Sequence, residues 1–131
     1  MELTAEIIKK YENRDIRWLR KKAQEKFNFW VRMVERGRAC ISCGNPNPNQ
    51  AGHYYSAGHY PVLAFEPDNC HLQCISCNMY KSGNLIEYRK NLIKLIGEER
   101  LERLDRIVAQ SKVKRFKHDR FSLIETILKY K

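Results

Sequence analysis

Long apolar runs are missing from this chain. Nowhere does it reach the ~18 uncharged, apolar residues that a helix needs to cross a bilayer. Its first residues, "MELTAEIIKKYENR", lack the apolar core of a secretory leader. The expectation is a protein kept in the cytoplasm, with no membrane partner. Acidic residues are also in short supply, 15 Asp and Glu against 25 Lys and Arg. A surplus of that size makes a polyanion the natural partner, nucleic acid first. Low-complexity tracts are absent, and 131 residues predict a single domain.

The charge is unevenly spread. Residues 1–39 hold 11 Lys/Arg against 6 Asp/Glu, residues 40–83 hold 1 against 2, and residues 84–131 hold 13 against 7. A nearly uncharged centre between basic flanks suits a specialised site between surfaces that grip phosphates. Any one of these cations also reads as an ordinary solvated helix residue.

A reducing compartment disfavours disulfides and turns paired Cys-x-x-Cys motifs into metal-site candidates. Four of the five cysteines form two such pairs, Cys40/Cys43 in "CISCG" and Cys74/Cys77 in "CISCN". Residues 44–73 separate them, a longer insert than the ~15–20 of compact zinc fingers but short enough for a hairpin. The pairs predict one closed, tetrahedral, structural zinc whose binding energy is part of folding. Cys70 is left over and reads as a small buried apolar residue.

In the first segment Leu19, Ala23, Phe27, Trp30 and Val34 recur at helical spacing, predicting one long helix that begins after Thr4 and closes at Gly37. Phe27 and Trp30 read as core, with Arg14, Arg17, Lys21 and Lys22 on other faces. After the second cysteine pair, Asn84 with Glu87 resembles a capping box, and Leu85, Leu92, Leu95 and Ile96 supply an apolar side. Gly97 interrupts, then Leu101, Leu104 and Val108 resume the pattern. The basic connector "SKVKRFKH", with Lys112, Lys114, Arg115 and Lys117, leads to a last helix with Phe121, Ile124, Ile127 and Leu128 inward. Strands fit only between the cysteine pairs, in "AGHYYSAGH" and "PVLAFEPDNCHLQC". Two short strands followed by a helix make an α+β chain with a zinc-clamped ββα unit.

His53, His59 and His71 also lie in this central segment, and imidazoles left free by a four-cysteine zinc site are candidates for general base or metal ligand. The pattern as a whole, a Cys-x-x-Cys, a histidine on the first strand, an asparagine five residues before the second Cys-x-x-Cys, and Cys-Asn at its end, resembles HNH (His-Me finger) nucleases of the HNN variety. His53, Asn69 and Asn78 fall on those three positions. The arrangement is similar to that of phage endonuclease VII, a junction resolvase. "AGHY", "DNCHLQC", "CN", "KSGN" and "YRKNLIKLIGEERLERL" resemble the lambda NinG (Rap) family of phage recombination endonucleases, which act on branched DNA.

That resemblance implies a zinc-stabilised His-Me finger core (39–96) between a basic N-terminal helix (1–38) and basic C-terminal helices (97–131). It also implies a phage protein working in the bacterial host cell. Hydrolysis of a phosphodiester needs an activated water and stabilisation of charge on the phosphate. In the resembled fold His53 would be the base, Asn69 would orient its ring, and Asn78 would bind a catalytic Mg2+ or Mn2+. Taken alone, His53 also reads as a hairpin histidine and Asn78 as a helix cap. Many HNH enzymes place a metal-binding Asp or His directly before the base, where this chain has Gly52. The missing ligand is then expected from His71, with His59 next, and Lys81, one helical turn beyond Asn78, is a candidate for the phosphate.

The implied activity is metal-dependent endonucleolytic cleavage of branched intermediates such as a D-loop, fork or four-way junction, with recombination proteins as partners. A homodimer would suit paired nicks. A non-catalytic zinc module that binds nucleic acid through its basic helices is the alternative, and a protein-binding adaptor of zinc-ribbon type is a second.

Overall fold

A computed structural model describes residues 2–131. The N-terminal segment forms two helices where the apolar spacing predicts one. Thr4 does cap a helix, its Oγ1 accepting the Ile7 N–H at 3.3 Å, but α1 (Ala5–Tyr11) stops after two turns. Asp15 starts another: its Oδ1 accepts the Trp18 N–H at 2.7 Å and opens α2 (Ile16–Val34). A carboxylate cap of this kind stabilises a helix start by about 1 kcal/mol. The break is braced from the far end of the chain, because Arg120 donates to the carbonyls of Tyr11 and Arg14. The buried stripe of α2 is Leu19, Ala23, Phe27 and Val31; Val34, expected inside, is 55% exposed.

Strands β1 (Gln50–His53) and β2 (Cys70–Gln73) form an antiparallel pair with Gln50 opposite Gln73, Ala51 opposite Leu72, Gly52 opposite His71 and His53 opposite Cys70. They are shorter than the extended segments expected. Pro61 and Pro67 open single helical turns, Pro61–Leu63 and Pro67–Asn69, in the loop between them.

Three helices follow: α3 (Leu85–Ile96), α4 (Glu98–Val113) and α5 (Arg120–Lys129). The capping box expected before α3 does not form. Asn84 sits in the left-handed region (φ 44°) and makes no side-chain cap, while Glu87 reaches Lys90 instead, at 3.2 Å. Tyr88, Leu92 and Ile96 are the buried side of α3, and Leu85 and Leu95, expected inward, are over 40% exposed. Leu101, Leu104 and Val108 are buried in α4 as the spacing predicts. In α5 the buried residues are Leu123, Ile124 and Ile127, with Phe121 turned outward.

The hairpin lies between two helical layers, and successive strand residues face opposite ways. Ala51, His53 and Cys70 face α2 and α5, where Phe27, Val31 and Tyr130 pack. Gly52, His71 and Gln73 face α3, where the Tyr88 hydroxyl donates to the Gly52 carbonyl at 2.6 Å. No helix among the described residues is long and apolar enough to cross a membrane.

Candidate functional site

The two cysteine pairs meet. One sits just before β1 and the other just after β2, so the antiparallel pairing brings them together, with the Ile41 N–H bonded to the Leu72 carbonyl at 2.9 Å. The Sγ atoms of Cys40, Cys43, Cys74 and Cys77 all lie within 4.8 Å of one another, and Cys43 and Cys74 are 3.7 Å apart. Four sulfurs at ~2.3 Å from a tetrahedral zinc stand about 3.8 Å apart, so the donor set and its spacing fit that ion. N–H groups point at the sulfurs, Cys77 N–H to Cys74 Sγ and Asn84 Nδ2 to Cys77 Sγ, each at 3.5 Å. Such bonds suit thiolates and orient the ligands, and the second explains why Asn84 forsakes the helix cap. Cys70 is outside this cluster, 1% exposed against Phe27, and burial pushes its thiol far up.

His53 ends β1. Its Nε2 lies 2.9 Å from the Ala64 carbonyl, which only accepts, so the proton of the neutral ring sits on Nε2 and the lone pair on Nδ1. Burial lowers its pKa, with the Ala64 carbonyl opposing, and a neutral imidazole is the form a general base requires. Nδ1 faces Cys70 Sγ at 3.7 Å, a weak donor.

Asn69 does not touch this ring, contrary to the orienting contact expected of it. Completely buried, it accepts from the Tyr55 N–H at 2.9 Å and donates to the carbonyls of Tyr55 at 2.9 Å and Leu63 at 3.1 Å. It thereby pins both ends of the loop that delivers Ala64 to His53, a positioning role one step removed.

The other expected residues lie apart. Asn78 donates to Gln50 Oε1 at 2.7 Å, and Gln50 shares the α3 side of the hairpin with Gly52, opposite His53. Both ring nitrogens of His71, expected as a metal ligand, have protein partners: Nδ1 lies 2.6 Å from Glu35 Oε2 and Nε2 3.0 Å from the Asp68 carbonyl. Glu35 also accepts the Leu72 N–H at 2.9 Å. Burial would raise the Glu35 pKa, but His71, that N–H and Arg38 together hold it below the usual carboxylate value.

His59 is exposed, with Nδ1 2.9 Å from Ser56 Oγ. Lys81 is exposed on the turn after Cys77. The only cluster of three or more His, Cys, Asp or Glu suited to a metal among the described residues is the four cysteines.

Gly52 has a structural reason. A Cβ there would stand 1.7 Å from Gln73 Oε1. Gln73 is fully buried, its amide held by Ser42 Oγ at 2.8 Å and the Gly83 carbonyl at 2.7 Å. Its oxygen thus occupies the space that a side chain at position 52 would need.

Beside His53 runs a basic groove. One part, of about 470 Å³, is lined by Arg17, Arg20, Lys21, Gln24 and Ala64. It continues, through shared Arg20, Gly58, Pro61 and His118, into a cleft of about 750 Å³ edged by His59, Lys112, Arg115 and Lys117. No Asp or Glu lines either part, and none of these Lys or Arg residues has an ion-pair partner among the described residues. Gln24 closes the near end, bonded to the Ala64 carbonyl at 3.2 Å and 3.4 Å from His53 Nε2.

His118 and Pro61 both line the cleft and are joined across it, the His118 Nε2 donating to the Pro61 carbonyl at 2.7 Å. Arg14 and Lys22 lie outside this groove, in a smaller basic hollow with Lys10 and Lys26, and Lys114 lines neither. Sequence reasoning missed Arg20 and Gln24. Arg17, Arg20, Lys21 and Gln24 follow i, i+3, i+4, i+7 along one polar face of α2, a signal that was there to read.

The chain matches the family model for Bacteriophage Lambda NinG protein over residues 2–131. Protein ninG of Escherichia phage lambda is 42% identical over 90 residues, 67% of this chain and 44% of that protein. Protein ninG of Escherichia phage 933W gives the same identity and coverage, 42% over 90 residues. Protein ninG of Salmonella phage P22 is 45% identical over 82 residues, 61% of this chain and 40% of its own length. The chain thus spans less than half the length of these curated relatives. No solved structure matches it. With the family model matched along all but its first residue, the chain belongs to the bacteriophage lambda NinG family.

Proposed function

We propose that this protein is a DNA endonuclease of the His-Me finger type, acting on branched recombination intermediates such as a fork, D-loop or four-way junction. The observation that carries the reading is the groove: a channel lined by unpaired cations and no acids ends at Gln24 and at Ala64, whose carbonyl accepts from His53 Nε2. Its cations would hold a phosphate backbone without reading bases, which suits recognition of shape. His53, kept neutral by burial and with Nε2 committed to Ala64, would take the proton of an attacking water at Nδ1. Asn69 would hold the loop on which that geometry depends. A divalent ion bound with the substrate would neutralise charge on the phosphate. The four cysteines would hold a structural zinc that clamps the hairpin.

One observation favours a second reading, a zinc module that binds nucleic acid without cutting it. His53 and Asn78 face opposite sides of the hairpin, and Nδ1 looks toward Cys70. The two readings separate when the purified protein meets linear duplex, splayed fork, D-loop and four-way junction, each with and without magnesium or manganese. Metal-dependent nicking of branched DNA, lost in His53→Ala while DNA binding and zinc content persist, is the expected result. Cleavage undiminished in His53→Ala would remove that residue from the chemistry, and tight binding with no cleavage in any metal would establish the second reading.

A further inference from the structure

The wide end of the groove differs from the part beside His53. Stripes of Lys and Arg suffice for a duplex backbone, which is gripped from outside. This end is a cleft of about 750 Å³ whose lining combines apolar Ile16, Val62 and Phe116 with the cations Arg20, Arg115 and Lys117. Ile16 is 47% exposed and Phe116 is partly exposed, so apolar surface that would otherwise be covered opens on the cleft. Phe116 is fixed edge-on to His118 (ring centroids 4.7 Å, 89°), and His118 is itself bonded to the Pro61 carbonyl. Burial holds the His118 pKa low, so its ring belongs with the apolar surface at neutral pH.

An aromatic ring beside apolar residues and cations, with no lining carboxylate, suits a nucleotide with its base unpaired, stacked on the ring with its phosphate among the cations. A paired base cannot enter. Resting on the nucleic-acid reading above, we infer that this cleft takes an unpaired nucleotide of the DNA, so that the protein engages strands at the point where pairing ends.

The test measures affinity at fixed salt and without added divalent metal, so cleavage plays no part. The ligands are a short oligothymidine, the same strand with abasic residues, and a blunt duplex. Base stacking on an aromatic side chain is worth about 1–3 kcal/mol, so the wild-type protein should bind oligothymidine at least about fivefold more tightly than the abasic strand. Phe116→Ala should abolish that preference and leave duplex affinity unchanged, while Phe116→Trp retains it.

Equal wild-type affinity for the intact and abasic strands would overturn the inference, whatever the variants do. So would a uniform loss on all three ligands in a Phe116→Ala protein that melts like wild type. Binding of strand and duplex without base preference would leave the nuclease reading standing, whereas binding to none would sink both.

Discussion

The two faces of the hairpin are built from alternate residues of the same two short strands, yet they differ in kind. Toward α3, His71, Gln73 and the Gly52 carbonyl are locked by Glu35, Ser42, Gly83 and Tyr88, with bonds mostly under 3 Å and no room to spare. Toward α2, His53 has one nitrogen held and the other against a thiol, beside an open basic groove. The first face spends its polar groups on holding the fold. The second leaves them available, which is where chemistry has to be looked for.

The clamp that joins both faces is the four-cysteine cluster, which could hold a zinc ion, and breaking it should have the largest effect. Cys74→Ser should lose bound zinc, measured by elemental analysis, together with the cooperative thermal transition; structural zinc contributes on the order of 10 kcal/mol in small zinc-folded peptides. A variant that melts like wild type would show that the hairpin stands without the metal.

On the locked face, Gly52→Ala drives a methyl into Gln73 Oε1. Overpacking costs about 1–3 kcal/mol or more, read as a lower urea midpoint. Gln73→Ala should itself destabilise but recover much of the Gly52→Ala loss in the double variant, because the two share one space. Additive losses would dissolve this account of Gly52. The same clash predicts that Gly52→Asp, a larger side chain, destabilises further.

Loop positioning comes next. Asn69→Ala removes three buried hydrogen bonds and leaves their backbone partners unmatched, about 1–3 kcal/mol. If Asn69 acts through the loop, the residual folded protein should also lose cleavage more than it loses DNA affinity.

The smallest effect concerns pH. The folded pKa of Glu35 is depressed, so its contribution is present above the unfolded carboxylate value of about 4.3 and fades as pH falls through the folded value. The melting temperature of wild type should therefore exceed that of Glu35→Gln near neutrality and converge toward it below about pH 4. A constant gap down the acid range would detach Glu35 ionisation from stability.

Legibility in the sequence followed the range of the interactions. The cysteine ligands and the buried stripe of α4 were readable because spacing along the chain encodes them directly. The N-terminal segment holds two helices rather than one because the apolar stripe starts only at Leu19 and says nothing of residues 12–15, where Asp15 caps a new helix. The capping box at Asn84 failed for a different reason: a cysteine sulfur seven residues back claims its side chain. For His71, strand alternation gives the face but not the partner, because Glu35 reaches it from the end of α2.

The sequence by itself determined the four paired cysteines, the alternation of basic flanks with an uncharged centre, the motifs of the family, and most helix positions. All of these rest on residue identity and on periods of two, four or seven along the chain. Only the tertiary structure decided which face of the hairpin each polar group occupies, why residue 52 must be glycine, and how the cations of α2 join those of residues 112–117 in one groove. Those features depend on strand register and on packing between segments about a hundred positions apart, and no local period carries that information.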